Sequence, residues 1–246
     1  MSRRAIVRVL VGCGAMLAVG LGVWTFDRLF PPKLTKYHAT SSTLSDRDGR
    51  LLRVKLSDDG AIRMATRVGD VDPLYLKLLV AYEDKRFHRH PGVDGLAMAR
   101  AIWQAVANWR VISGGSTLTM QVGRLLEPRR RTIWAKLVEC VRALQLERRF
   151  TKTEILDMYL TLAPFGGPLE GVRAASLAYF DKEPKRLKPA EAALLVALPQ
   201  MPSRLRPERY PARAKRARDK ILSRTLARWD PGLAAIARLA PLPARR

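Results

Sequence analysis

DPLYLKLLVAYEDKRFHRHPG, residues 72–92, is the stretch from which the rest of the chain is read. Asp72 followed by Pro73 is a cap with proline at the first helical position, so a helix is predicted through Leu74 to Tyr82. It runs into Glu83 and Asp84, and acids at the C-terminal end of a helix oppose the macrodipole, so helix stability does not account for them. Lys85, Arg86, Phe87, His88, Arg89 and His90 follow at once, then Pro91-Gly92. Such a cluster reads as a surface ion-pair group. It also reads as a carboxylate between an apolar wall and several cations, where burial and charge tune its pKa in opposite directions and suit it to general-base work. His88 and His90 lack the i, i+4 spacing of a helical metal pair, so neither is read as a ligand.

Downstream, Ser113-Gly114-Gly115-Ser116-Thr117 leads into Leu118-Thr119-Met120-Gln121. This is either a loop with free backbone N–H groups for a phosphate or a helix start capped by Ser116. Ile133, Trp134, Leu137, Val141 and Leu144 recur at helical spacing, with Lys136, Glu139 and Arg142 on the other side. Those charges make either an exposed ion-pair face or, if Glu83 lies opposite, a second cleft carboxylate among cations. Ile155 to Leu160 reads as another helix, and Pro189 to Leu198 is apolar nearly all round, as in a central buried one. Upstream, turn signals at Asp48-Gly49 and Asp58-Asp59-Gly60 bracket Leu51–Leu56, with Ala61–Val68 expected to return as its partner strand.

The chain has 246 residues and 45 Lys/Arg against 22 Asp/Glu, a net charge of +23, which predicts an anionic partner. Two cysteines, Cys13 and Cys140, make no disulfide framework, and three histidines without a Cys/His cluster exclude a structural zinc site. Residues 5–26 are apolar except for Arg8, with Arg3 and Arg4 ahead of them. That length and basic flank predict a retained signal anchor with the bulk of the chain outside. A cleavable signal peptide fits less well, because Leu21-Gly22-Val23-Trp24 is a poor cleavage site. From Ser203 onward, 13 Lys/Arg stand against three acids, which reads as a solvated basic helix.

Taken in order, these segments resemble the peptidoglycan glycosyltransferases of glycosyltransferase family 51. Glu83-Asp84-Lys85-Arg86-Phe87 with His90-Pro91-Gly92 is similar to the first family motif. Gly115 to Gln121 is similar to the second, Lys136-Leu137-Val138-Glu139 to the end of the third, and Ile155–Leu160 and Ala190–Pro202 to the fourth and fifth. Leu162–Gly167 and Leu198–Pro207 resemble most the transglycosylase domain of 1C-type class A penicillin-binding proteins. Three positions depart from the pattern: Met120 stands in place of Gln, Ala135 of Arg and Thr161 of Asn.

The resemblance implies a mostly α, lysozyme-like glycosyltransferase domain with a small N-terminal β-hairpin and an N-terminal transmembrane helix. The expected organisation is an anchor at 1–30, a linker and hairpin at 31–69, the catalytic domain at 70–206 and a basic helical tail at 207–246. The implied substrate is lipid II, added to a nascent glycan strand with release of undecaprenyl pyrophosphate. Glu83 would be the general base and Glu139 the second catalytic carboxylate. Substrate binding would fall to Asp84, Phe87, His90, Gly115, Ser116, Thr117, Gln121, Arg124 and Lys136. A divalent cation, Mg or Mn, is the one cofactor the resemblance allows. Placement is in the cytoplasmic (inner) membrane, single-pass, with the catalytic domain periplasmic. Other cell-wall synthesis proteins fit as partners, and nucleic acid does not. No Ser-x-x-Lys or Lys-Thr-Gly occurs, so penicillin-sensitive cross-linking is not expected. A lytic enzyme with Glu83 as general acid and a catalytically weak glycan- or lipid-II-binding scaffold are the alternatives.

Overall fold

The apolar stretch expected at the centre is helical from Pro189 to Ala197, and Ala190 and every residue from Ala192 to Ala197 are buried. Proline at its first turn and the Glu191 carboxylate, which accepts from the Lys188 N–H at 2.7 Å, fix where it begins. The computed structural model describes residues 22, 25, 27–48, 51–108, 115–130 and 132–243. The chain divides into two compact units, Met1–Lys33 and Leu34–Arg246. In the first, Gly22, Thr25 and Asp27–Leu29 are helical. The expected membrane span, residues 5–26, lies outside the described residues apart from Gly22 and Thr25. Among the described residues, no helix is long and apolar enough to cross a membrane.

The second unit is mostly helical with two small sheets. Its longer helices are α1 (Pro73–Glu83), α2 (Gly95–Asn108), α3 (Leu118–Leu126), α4 (Ile133–Arg149) and α5 (Lys152–Leu162). They continue with α6 (Val172–Phe180), α7 (Pro189–Ala197), α8 (Pro211–Arg224) and α9 (Pro231–Leu239). The buried α7 packs against α1 and α8, while α3 packs against α4 and α5. Tyr75, Leu78, Leu79, Phe87, Leu118, Ile155 and Leu195 sit in one continuous core.

The hairpin forms with a different partner from the one expected. Strand β1 (Thr43–Ser45) pairs antiparallel with β2 (Leu51–Val54), across the Asp48 turn. The returning segment, β3 (Ile62–Arg63), pairs instead in parallel with β5 (Leu169–Glu170), which also pairs with β4 (Pro164–Gly166). The reason is Arg63. Its side chain is fully buried, and its guanidinium donates to Glu170 at 2.8 and 2.6 Å, to Asp59 at 2.7 Å and to the carbonyls of Lys36 and Ala39. A desolvated guanidinium needs all of these acceptors, and Glu170 is reachable only if β3 lies beside β5. Arg63→Leu is expected to lower unfolding free energy by about 3 kcal/mol, because half-buried Glu170 loses the guanidinium and keeps only Lys36 as an ion-pair partner among the described residues, and Asp59 loses its partner too. Urea unfolding of the full chain would check this; an unchanged midpoint would refute it.

One reading left open by the sequence is settled, and one expectation is corrected. The apolar row of α4 faces outward: Ile133, Trp134 and Leu137 are 86%, 70% and 54% exposed, and Val141 and Leu144 are exposed too. Its buried positions are Ala135, Ala143, Gln145 and Leu146. A Cβ on Gly123 of α3 would stand 3.1 Å from the Arg142 Cβ, so the helices meet through small residues and α4 turns its charged row toward α3. The basic C-terminal segment is also not simply solvated. Ala214, Arg218, Ile221 and Leu222 of α8 are buried, and the Arg218 guanidinium donates to the carbonyls of Ala240 and Arg238 at 2.6 and 2.9 Å.

Candidate active site

Glu83 is the last residue of α1, as the acid at the end of the apolar run requires. Both of its oxygens accept amide N–H groups, Oε1 from Gln200 and Oε2 from Gln121, each at 3.0 Å. Asp84 sets its position. The Asp84 carboxylate is buried, accepts the Leu118 N–H at 3.0 Å and meets the His90 Nε2 at 3.0 and 3.1 Å. A carboxylate at the N-terminus of α3 is stabilised by the unpaired N–H groups there, so Asp84 ties the end of α1 to the start of α3. The N-cap of α3 is Thr117 rather than Ser116: its Oγ1 accepts the Met120 N–H at 3.1 Å and donates to the Gly92 carbonyl at 2.5 Å. Gly92 has φ +89°, and a Cβ there would stand 2.7 Å from the Ala143 carbonyl oxygen, so this loop closes on α4 only with glycine.

Ser116, relieved of capping, accepts from the Lys136 Nζ at 2.5 Å. Lys136 also donates to Glu139 at 2.9 Å, and the Arg124 guanidinium lies 3.8 Å from the other Glu139 oxygen. Glu139 therefore aligns two cations along one wall. Between that wall and Glu83 is a cleft of about 1290 Å³. The arrangement has a carboxylate held by neutral donors on one side and cations on the other, which suits proton removal beside developing negative charge.

The sequence matches the Transglycosylase family model over residues 50–226. The chain belongs to the transglycosylase family. Over 218 residues it is 47% identical to penicillin-binding protein 1C of Escherichia coli, covering 87% of this chain and 28% of that one. It is 34% identical to penicillin-binding protein 1A of Rickettsia felis, with 89% and 28% covered. The chain thus spans a little over a quarter of the length of these relatives. A crystal structure of penicillin-binding protein 1A from Haemophilus influenzae aligns at 19% identity with a TM-score of 0.47, covering 83% of this chain and 21% of that one.

Of the residues expected to form the site, Glu83, Gly115, Ser116, Gln121, Arg124, Lys136 and Glu139 line the cleft together. Asp84, Phe87, His90 and Thr117 lie outside that lining: Phe87 and Thr117 are in the interior, Asp84 is the strut, and His90 is its hydrogen-bond partner. Gln200 was missed, as were Thr225, Arg224 and Arg228, which also line the cleft. Gln200 lies 117 positions from Glu83, and no local pattern signals such a contact.

Burial raises the Glu83 pKa above the ordinary carboxylate value, against the hydrogen bonds from Gln121 and Gln200 and the charge of Arg124. Of the two opposed influences that the sequence offered, burial is the larger. A base with a raised pKa is half-ionised closer to neutrality. Gln200→Met removes a donor that favours the ionised form, so the acid limb of the pH–rate profile is expected to move upward by about one pH unit. A limb that stays put or moves down would exclude Gln200 as a donor to the base.

Proposed function

We propose that this chain is a peptidoglycan glycosyltransferase that polymerises lipid II into glycan strands, with residues 70–206 carrying catalysis in a lysozyme-like domain. The observation that supports it most is Glu83, clamped between two amides and facing the Lys136–Glu139–Arg124 wall across one cleft. Glu83 removes the proton from the acceptor sugar's 4-hydroxyl as that oxygen bonds to the donor's anomeric carbon. The bond from that carbon to the pyrophosphate oxygen breaks, with inversion, and the electron pair leaves with undecaprenyl pyrophosphate. Lys136 and Arg124 meet its negative charge. Ala135 lines the cleft where the family motif has arginine, so these two cations carry that work without a third from α4.

No step is assigned to a divalent cation. Glu139 already has Lys136 and Arg124 on its two oxygens, and among the described residues no three His, Cys, Asp or Glu side chains are grouped to take a metal. The exposed row on α4, with Leu96 and Trp103 of α2, suits work beside a bilayer and agrees with residues 5–26 anchoring a periplasmic domain to the inner membrane. The nascent strand and other cell-wall synthesis proteins are the partners this reading implies.

A second reading has a specific support: a half-buried carboxyl with a raised pKa also suits a general acid that cleaves glycan. Incubating the full chain with labelled lipid II in detergent, and separately with preformed glycan, separates the two. Long glycan with lipid pyrophosphate released is expected. Shortened glycan and no pyrophosphate would establish the lytic enzyme, and lipid II bound without turnover the scaffold.

A further inference from the structure

A second hollow of about 630 Å³ shares Ala81, Lys85, Arg224, Thr225 and Arg228 with the catalytic cleft, so the two are continuous. Its floor is apolar, made by Val68, Leu76, Val80 and Leu156. Its rim carries Lys77, Lys85, His88, Arg224 and Arg228, and the Lys77 ammonium lies 4.4 Å from the centroid of Trp229 at one end. No carboxylate is among its described lining residues. Elsewhere in this unit, Arg63, Arg86, Arg142, Arg173, Arg206 and Arg218 each have a carboxylate partner. Cations gathered over an apolar floor without counter-charge repel one another and raise the local potential, and an anionic ligand relieves both.

We infer that this hollow binds the acidic pentapeptide branch of lipid II, a disaccharide-pentapeptide on its lipid carrier, with the peptide's carboxylates on the rim and its small apolar side chains on the floor. The inference rests on the glycosyltransferase reading above. The cations placed for the pyrophosphate, Arg124 and Lys136, line the cleft but not the hollow. With the acceptor's hydroxyl at Glu83 and the donor's pyrophosphate at Arg124 and Lys136, the acceptor's peptide branch is left to reach past Lys85. Lys77 lies six residues before the end of α1, roughly 9 Å at a helical rise, and Lys85 two residues beyond that end, a spread that suits carboxylates spaced along a peptide better than one compact headgroup.

The test is calorimetric titration of the full chain with a soluble acidic muramyl pentapeptide. Saturable binding is expected, weakened roughly five- to ten-fold by Lys77→Glu, by Arg228→Ala, and by amidation of the peptide's carboxylates. A peptide that binds parent and variants alike, or not at all, overturns the inference. So does Lys77→Glu weakening binding to anionic phosphatidylglycerol vesicles while the peptide titration is unchanged, which would assign the rim to the membrane. In turnover, Lys77→Glu is expected to raise KM for pentapeptide-bearing lipid II and not for a lipid-linked disaccharide carrying one amidated alanine. Failure of the parent to polymerise either substrate would count against the proposed function, while the titration still decides the hollow.

Discussion

Glu83→Gln is expected to remove polymerisation while leaving a fold at least as stable as the parent. Losing a general base alone costs on the order of 10²- to 10⁴-fold in rate. The stability effect has the opposite sign from the usual loss of a carboxylate. Burial holds the Glu83 pKa above its unfolded value, so the folded state binds this proton more tightly than the unfolded chain does. Its penalty on folding is absent below the unfolded pKa, near 4.3, grows as pH rises toward the folded pKa, and is constant above it. The uncharged amide removes that penalty at neutral pH. Gln121 and Gln200 both donate to Glu83, so one of their amides must rotate to meet the new N–H group. Thermal melts of the two proteins should therefore coincide near pH 4 and separate, with the variant higher, toward pH 8. Glycan made by the variant at near the parental rate would remove Glu83 from the role of base.

Lys136→Ala should lower kcat/KM by about 10²- to 10³-fold, most of it in kcat, because the ammonium acts on charge that develops as the pyrophosphate leaves. The same nitrogen bridges Ser116 and Glu139, so its loss leaves Glu139, among the described residues, with only the long 3.8 Å ion-pair contact from Arg124. Lys136→Arg tests whether charge alone suffices. A guanidinium is planar and larger than an ammonium, and it cannot reproduce two contacts at 2.5 and 2.9 Å from one nitrogen, so it is expected to recover only part of the rate. If Glu139 acts by aligning Lys136, Glu139→Gln should cost far less in the Lys136→Ala background than in the parent, which a double-mutant cycle reads directly. Fully additive losses would give Glu139 a separate task.

The three departures from the family pattern have different physical standing once the fold is known. Met120 is completely buried in the core, where it touches packing rather than chemistry. Thr161 is buried too, and its hydroxyl accepts the Thr66 N–H at 3.1 Å and donates to the Thr66 carbonyl at 3.3 Å, joining α5 to the segment after β3. Of the three, only Ala135 lines the cleft.

Much of the architecture was legible because it is written in local periods. Proline after Asp72 marked the start of α1, its apolar run predicted burial, and acids at its end, where the helix dipole disfavours them, pointed to Glu83. The unbroken apolar character of residues 192–198 marked α7 as interior in the same way. Resemblance added roles to positions that spacing alone left ambiguous. What stayed hidden is whatever depends on which surface meets which. Periodicity located the apolar and charged rows of α4 without saying which is buried; small residues at the contact with α3 turn the charges inward and leave Ile133 and Trp134 outside. Arg63 read as an ordinary strand residue until Glu170, 107 positions away, became its partner and drew β3 to a different sheet. Gln200 and Arg228 reach the cleft only because α7 and α8 pack against each other, carrying the segments that follow them to the end of α1. Helix period and caps are properties of a few neighbouring residues, so the sequence displays them. Partner choice is settled by desolvation and steric fit between segments far apart in the chain, and only the folded molecule brings those together.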